Sequence, residues 1–454
     1  MTSRRTLQTA LLMGILIALV PFAFGQQQKP QYDLLLKGGH VIDPANHIDR
    51  VMDVAVVGGK IAAVEPSIPA AAAGKVVDVH GLYVTPGLVD IHVHIGYGGV
   101  PNDWYSPSAR SHTPPFGFPP DLMLASGVTT AVDAGSSGAA TFLREKQMVM
   151  EHSQVRVLAF LNIVENGMNG GLEQTVDQMD AKLCAETVEK NRDVIVGVKT
   201  AHYWTALPWD PEHQPWTAVD RAEECARAAN VPVMVDFWPR PPLRSYADLI
   251  LKKMRPGDIH THVFAQQFPI VLAGGKLNPI MEEARTRGVI FDVGHGGGSF
   301  WFRNAVPAVE QGFLPDSIST DIHTESMTWK AISMVNVMSK FLAMGVPLAT
   351  VIRESTVNPA KEIHRTELGT LSVGSDADIA VLEELHGNFS YADDGYARLD
   401  GHAKLIARMT VRAGRIVFDP SGLSMVEWRK ARKQYFTPPG EGDHHPSTAD
   451  DFPR

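Results

Sequence analysis

At 454 residues, 44% hydrophobic and 20% charged, the chain is too long for one small core and has the make-up of an ordinary folded enzyme. A net charge of −9 with no basic stripe to oppose it argues against nucleic acid as a partner. The first 25 residues read as a signal peptide and not as part of the fold. Arg4 and Arg5 precede the apolar run Leu11 to Phe24, and Ala23-Phe24-Gly25 then offers a small-residue cleavage site. The run is short for a bilayer span, so an exported, periplasmic or secreted protein with no stable membrane insertion is expected, an uncleaved anchor being the alternative. The SRRTLQ start is a loose match to a twin-arginine signal, and no Cys near the cleavage point marks a lipoprotein.

From Tyr32 short β-runs follow one another, YDLLLKGGHVIDP, DVAVVGGKIAAVE and KVVDVHGLYVTPG, with Gly38-Gly39 and Gly58-Gly59 as hairpin signals between them. A matching pattern returns in LGTLSVGSDADIAVLEE and MTVRAGRIVFD, so residues 30–85 and 365–425 are expected to form one small composite β-sandwich. Between them, over 86–364, strand and helix alternate. The candidate strands are Leu88–His94, Val128–Ala134, Val155–Ile163, Val194–Thr200, Val231–Phe237, Asp258–Phe264, Gly288–Gly294 and Asp316–Ile322. Eight strands, each followed by room for a helix, predict an α/β fold of the (β/α)8 TIM-barrel type; no glycine fingerprint follows the first strand, as an open dinucleotide-binding sheet would require. Cys184 and Cys225 fall in predicted helices, where two buried free thiols are expected instead of a disulfide. The tail 437–454 lacks periodicity and is expected to be disordered.

The most informative segment is PGLVDIHVH, residues 86–94. His92 and His94 lie two apart at the end of an apolar strand, and alternation places both, with Asp90, on one face. Two imidazoles aimed into one space begin a zinc-type site. In a barrel the chemistry sits at the C-terminal ends of the strands, and reading those ends in order gives His92, His94, Lys199, Asp236, His262 and Asp321. Burying six such groups without partners would cost on the order of 1–3 kcal/mol or more each. Two divalent cations would satisfy all of them. His260, two before His262 on the same face but deeper, reads as a hydrogen-bonded core histidine, and His202, just past Lys199, as a substrate contact.

The segments PGLVDIHVH, GVTTAVDAGSSGAATF, VGVKT, PGDIHTHVF, GVIFDVGHGGGSF, DSISTDIH and TVNPAKEIH together resemble the amidohydrolase superfamily, and within it the deacetylase-like and dihydroorotase-like branch. The resemblance covers about Tyr32 to Asp419. It implies a binuclear site, usually zinc: His92 and His94 on the more buried metal with Asp321, His262 on the second, and Lys199 carboxylated by CO2 to a carbamate that bridges both. A salt bridge to a nearby carboxylate is the competing role for Lys199. One position departs from the family, which places His where Asp236 stands; a carboxylate binds the same ions, so the second site is expected to be retained, a weak or absent second metal being the alternative. The implied reaction is hydrolysis of an amide or ester carbonyl of a small acyl substrate by metal-activated water, with Asp321 accepting the water proton and passing it to the leaving group.

Two loops carry aromatic residues that suit an apolar acyl group or pack loop against barrel: Trp104, Tyr105, Phe116 and Phe118 after the first strand, and Tyr203, Trp204, Trp209 and Trp216 after the fourth. His295, followed by Gly296 to Gly298, is a candidate substrate contact. Relatives often carry Arg two residues after the lysine, where Ala201 stands here, so the family's substrates do not transfer directly. Deacylation is the leading reading. A cyclic-amide hydrolase of dihydroorotase type is the alternative, and a barrel that binds metal or ligand without turnover is the rival from another class, with Asp236 as its sign. A homo-oligomer is compatible with the resemblance.

Overall fold

The structure is a computed structural model that describes residues 30–96, 118–168, 176–202, 213–323, 326–328 and 330–436, with only the backbone of His202 and Gln434. The expected signal peptide 1–25, the tail 437–454, and Trp104, Tyr105, Phe116, Tyr203, Trp204 and Trp209 lie outside the described residues.

Five strands open the described chain: β1 (Tyr32–Asp43), β2 (Ile48–Val57), β3 (Lys60–Glu65), β4 (Ala73–Asp78) and β5 (Tyr83–Pro86). Seven follow: β6 (Leu88–Val93), β7 (Val128–Gly138), β8 (Arg156–Asn162), β9 (Ile195–His202), β10 (Val233–Phe237), β11 (Ile259–His260) and β12 (Ile290–Phe291). Three close it: β13 (Ile379–Ala392), β14 (Arg398–Arg412) and β15 (Arg415–Phe418). Helices stand between the middle strands and after them: α1 (Phe142–Met148), α2 (Ala181–Lys190), α3 (Thr217–Ala229), α4 (Tyr246–Asp248), α5 (Ile280–Thr286), α6 (Phe302–Glu310), α7 (Met334–Ala343), α8 (Leu348–Arg353) and α9 (Val357–Glu362).

The first and last strands form one sheet in the order β15-β14-β13-β5-β1-β2-β3, with β4 also on β1. These strands of both chain ends belong to one hydrogen-bonded network, and β1 is its branch point. Its first half pairs with β4 and its second half with β5. Between the halves the register against β2 shifts from Leu36 to Gly39, with Gly38 at φ 75. Gly38-Gly39 is thus a bulge within a strand and not the hairpin turn expected; a side chain at Gly38 would strike the His80 ring. Gly58-Gly59 is the two-residue β2–β3 turn as expected, both residues at positive φ. Apolar residues of both ends of the chain, among them Leu36, Val54, Val84, Ile379 and Val411, share one core.

The second sheet is parallel throughout, in the order β12-β11-β10-β9-β8-β7-β6. Both its faces are apolar, which explains the near-continuous hydrophobic runs of its strands. Val89, Ile91, Val132, Phe160, Val196, Met234 and Ile259 fill one side together with Ala360 of α9, Ile363 and Leu368. Val93, Ala131, Val198, Val233 and Val235 pack on the other against helices such as α3. The expected eighth strand, Asp316–Ile322, makes only single bridges, yet it touches both edges: Asp292 pairs with Ser317, and Val93 with Ile322. Asp321, at φ 48, breaks the extended run that a full ladder would need.

The cysteine expectation is overturned. Cys184 and Cys225 form a disulfide, Cα atoms 6.0 Å apart, joining α2 to α3. The two helices lie side by side, which their sequences alone do not disclose. Among the described residues no helix is long and apolar enough to cross a membrane.

Candidate metal centre

The six residues read from the strand ends are all buried, and all six are drawn together by side-chain contacts at the end of the parallel sheet. His94 Nε2 is 3.1 Å from Asp321 Oδ1, and His92 Nε2 is 3.5 Å from the same oxygen. Lys199 Nζ lies 3.3 Å from His92 Nε2. His262 and Asp236 form the remaining pair, Nε2 to Oδ2 at 3.1 Å, and the His262 ring stands 4.9 Å from that of His92. Donor atoms of His92, His262 and Asp321 all fall within 4.8 Å of one another.

Each imidazole turns Nε2 inward and is anchored outward through Nδ1. His92 Nδ1 donates to Thr261 Oγ1 at 2.7 Å, and that hydroxyl donates to Asp292 Oδ2 at 2.7 Å. Asp292 also accepts from Ser317 and Ser319, at 2.9 and 2.8 Å. His94 repeats the arrangement, donating to Ser136 Oγ at 3.3 Å, whose hydroxyl donates to Asp133 at 2.7 Å. His262 Nδ1 donates to the Gly294 carbonyl at 2.5 Å. These outer bonds fix ring orientation and keep Nε2 turned toward the shared interior space.

Local backbone conformation aims the candidate ligands. In β6 the pairing with β7 shifts between Asp90 and Val93, so His92 departs from the phase of Val89 and Ile91. Asp90, expected beside the imidazoles, binds Thr320 instead, accepting from its amide at 3.0 Å and its hydroxyl at 2.6 Å. His262 has φ 60, and this turn separates it from His260. His260 does not share its face; it is a core histidine bonded to Tyr246 Oη at 3.0 Å and packed on Phe268. Gly294 and Gly296 allow the closest approaches. A Cβ on Gly294 would overlap Thr261 and crowd His262 and His92, and one on Gly296 would overlap the Asp321 carboxylate.

The electrostatics follow from this packing. Burial opposes ionisation of Asp321, but the adjoining imidazoles, foremost His92 and the hydrogen-bonded His94, outweigh it and hold the carboxyl far below its usual range. Burial, reinforced by Lys199, keeps His92 neutral. For His262 burial is outweighed by Asp236, which lifts the imidazole to about 9. Asp236 is lowered in return against its own burial, and its Oδ1 is buried without a hydrogen-bond partner among the described residues. The Lys199 Nζ contacts His92 and the Ala134 carbonyl and makes no ion pair among the described residues. Imidazole nitrogens, carboxylates and one orphaned oxygen around a common space form a donor set that fits divalent cations.

Of the other candidates, His295 is wholly buried, with Nδ1 on the Gly296 carbonyl at 2.9 Å and Nε2 2.6 Å from Lys340, so a substrate contact would require breaking these bonds. The side chain of His202 lies outside the described residues. Phe118 and Trp216 pack against the scaffold: Phe118 is buried with its amide on the His94 carbonyl, and Trp216 stacks on Phe237 at 5.6 Å. The sequence reading missed Thr261, Asp292, Ser136, Asp133 and His323, whose Nδ1 bonds the Asp321 carbonyl at 2.9 Å. A signal existed in the alternation of Ser317, Ser319 and Asp321 along SISTD.

No family model matches the chain. It is 32% identical over 425 residues to a protein of Brucella anthropi named deacetylase, covering 89% of this chain and 99% of that one. It is 31% identical over 449 residues to a deacetylase of Agrobacterium fabrum, covering 94% and 100%. Among solved structures it superposes on an adenine deaminase with a TM-score of 0.74 and 26% identity, covering 86% of this chain and all of that one.

Proposed function

The chain belongs to the amidohydrolase superfamily and is a hydrolase of carbon–nitrogen bonds; on that premise we propose a zinc-dependent deacylase that removes the acyl group of a small N-acyl or O-acyl substrate. We read its architecture as a (β/α)8 barrel carrying a sheet built from both chain ends, Asp316–Ile322 being the eighth barrel strand. Supporting this are the bridges that Ser317 and Ile322 make to the two edges of the parallel sheet.

His92, His94 and Asp321 would hold one cation, Asp236 and His262 the second, and Lys199, as a carbamate, would serve both. A free ammonium has no lone pair to offer a cation, whereas a carbamate offers two oxygens. Bound divalent metal supplies Lewis acidity, which lowers the pKa of water and polarises a substrate carbonyl. Asp321 takes the proton of the attacking water and returns it to the leaving amine or alkoxide. Its carboxyl is ionised at neutral pH, the form that a proton acceptor needs. Thr261 and Ser136 hold the two neighbouring imidazoles still while the proton moves. The observation that carries the reading is the common inward turn of three Nε2 atoms toward Asp321, Asp236 and Lys199.

Export from the cytoplasm belongs to the same proposal. The leader at 1–25 supports it, as does the Cys184–Cys225 disulfide, a bond that persists in oxidising compartments.

The test is metal analysis of purified protein followed by a screen of N-acyl amino acids and acylated hydroxy acids. Close to two ions per chain and turnover of one substrate class are expected. A metal-free protein that gains no activity with Zn2+ or Mn2+ would favour a barrel that only binds ligand.

A further inference from the structure

Lys340 of α7 lies outside the metal centre and is 1% exposed. Its Nζ has three acceptors: His295 Nε2 at 2.6 Å, the Ala392 carbonyl at 2.8 Å and the Lys330 carbonyl at 3.0 Å. Three acceptors match the three N–H bonds of an ammonium. Burial draws its pKa down to about 7, against the pull of Asp394 and Asp393, so the ammonium prevails below neutral pH. His295 accepts at Nε2, so its proton stays on Nδ1 and donates to the Gly296 carbonyl at 2.9 Å. The ring is further held by stacking on Phe300, centroids 4.6 Å apart. Gly296 donates its amide to the Thr320 carbonyl at 2.8 Å, and its Cα sits directly against the Asp321 carboxylate. Contacts thus run without a break from Lys340 through His295 and Gly296 to Asp321.

A second arm joins the same hub. The β13–β14 turn grips the segment after His295: Asp394 exchanges hydrogen bonds with Phe300, its amide to the carbonyl at 2.9 Å and its Oδ2 from the amide at 2.7 Å. Asp393 Oδ2 accepts from the Phe302 amide at 2.9 Å. A side chain at Gly395 would collide with Trp301. The Ala392 carbonyl taken by Lys340 begins this turn, so one ammonium ties the sheet of the chain ends to the loop that abuts Asp321.

We propose that Lys340 is a positioning residue of the reaction, setting the Asp321 carboxylate through His295 and Gly296 and coupling it to the β13–β14 turn. This rests on the proton-transfer role given to Asp321 above. Lys340→Met should keep its metal content and KM and lose kcat by about 10–100-fold, as a small misplacement of a catalytic group does. In the Co2+-loaded protein it should alter the visible absorption bands at unchanged stoichiometry. His295→Gln can still accept from Lys340 and donate to Gly296, so it should retain most of kcat, whereas His295→Leu should behave like Lys340→Met. Unchanged kcat and Co2+ bands in folded Lys340→Met, or metal and kcat lost together, overturn the inference. Should Lys340→Met fail to fold, the His295 pair decides, and equal kcat for Gln and Leu overturns it. Additive losses in the Lys340→Met/Asp321→Asn double variant also overturn it, while the role of Asp321 is read independently from its single variant.

Discussion

The two halves of the metal centre are built differently. Around His92, His94 and Asp321 every group is bonded to the scaffold behind it: imidazole to hydroxyl to carboxylate twice over, and the Asp321 amide to the His92 carbonyl at 2.6 Å. Asp236 and His262 lean instead on each other. Among the described residues their outer support is one backbone carbonyl, that of Gly294, and Asp236 keeps an oxygen with no partner. The difference teaches that the first half is set by the sheet before anything binds. The second trades one ion pair for another, since His262 must lose a proton and Asp236 its histidine when a cation enters.

Chelation should remove nearly all activity, and refilling with Zn2+ should then proceed in two steps, the His92–His94–Asp321 half first. Calorimetric titration that gives one step of two equivalent sites would break the comparison. Next in size, Asp321→Asn should lower kcat by about 10²–10⁴-fold with metal content largely kept; near-normal turnover in steady-state assays would leave Asp321 as a ligand alone. Removing the hydroxyl behind His92 in Thr261→Val should weaken metal affinity by about 10–100-fold, as loss of an outer-shell partner does. Asp236→His should tighten the second site and bring the two binding constants closer together, both read by competition with a chromogenic chelator.

The smallest effect concerns the floor beneath the first half. Ile318 donates its amide to the Glu354 carbonyl at 2.8 Å, and Val89 to that of Ser355 at 2.9 Å, so residues 354–355 brace both strands that carry this half. Burial raises the Glu354 carboxyl from 4.5 to about 8, with Asp316 adding and Arg353 and Arg285 subtracting. The folded protein then holds a proton that the unfolded chain has released, so this contribution to stability is full below about pH 4.5 and is lost as pH rises toward about 8. Glu354→Gln should flatten that decline, by a few degrees in thermal midpoint, measured by circular dichroism against pH; an unaltered slope would relieve Glu354 of the role.

Much of this was legible in the chain. The apolar runs announced seven strands of the parallel sheet, and polar residues at their ends named the side chains that gather at the candidate centre, because a buried Lys199 or Asp236 needs a reason. What escaped depended on single dihedral angles and on packing. A period of two put Asp90 beside His92 and His260 beside His262, but the register shift in β6 and the left-handed turn at His262 reassigned both. The bulge at Gly38-Gly39 looked like a hairpin because glycine pairs serve both uses. Thr261 and Asp292 are ordinary strand residues until the neighbouring strand brings His92 to them. The disulfide depended on which faces of α2 and α3 meet.

The sheet formed by β1 to β5 with β13 to β15 gives the ends of the polypeptide a shared fate. β5 takes β1 on one side and β13 on the other, so its second edge stays bare until nearly the whole chain has left the ribosome. Trimming the product back past β13 would strip β5 of that neighbour and offer a sticky border to other chains. Length control by cellular proteases would fall on this seam, and a shortened copy would betray itself by clumping well before its catalytic chemistry could be assayed.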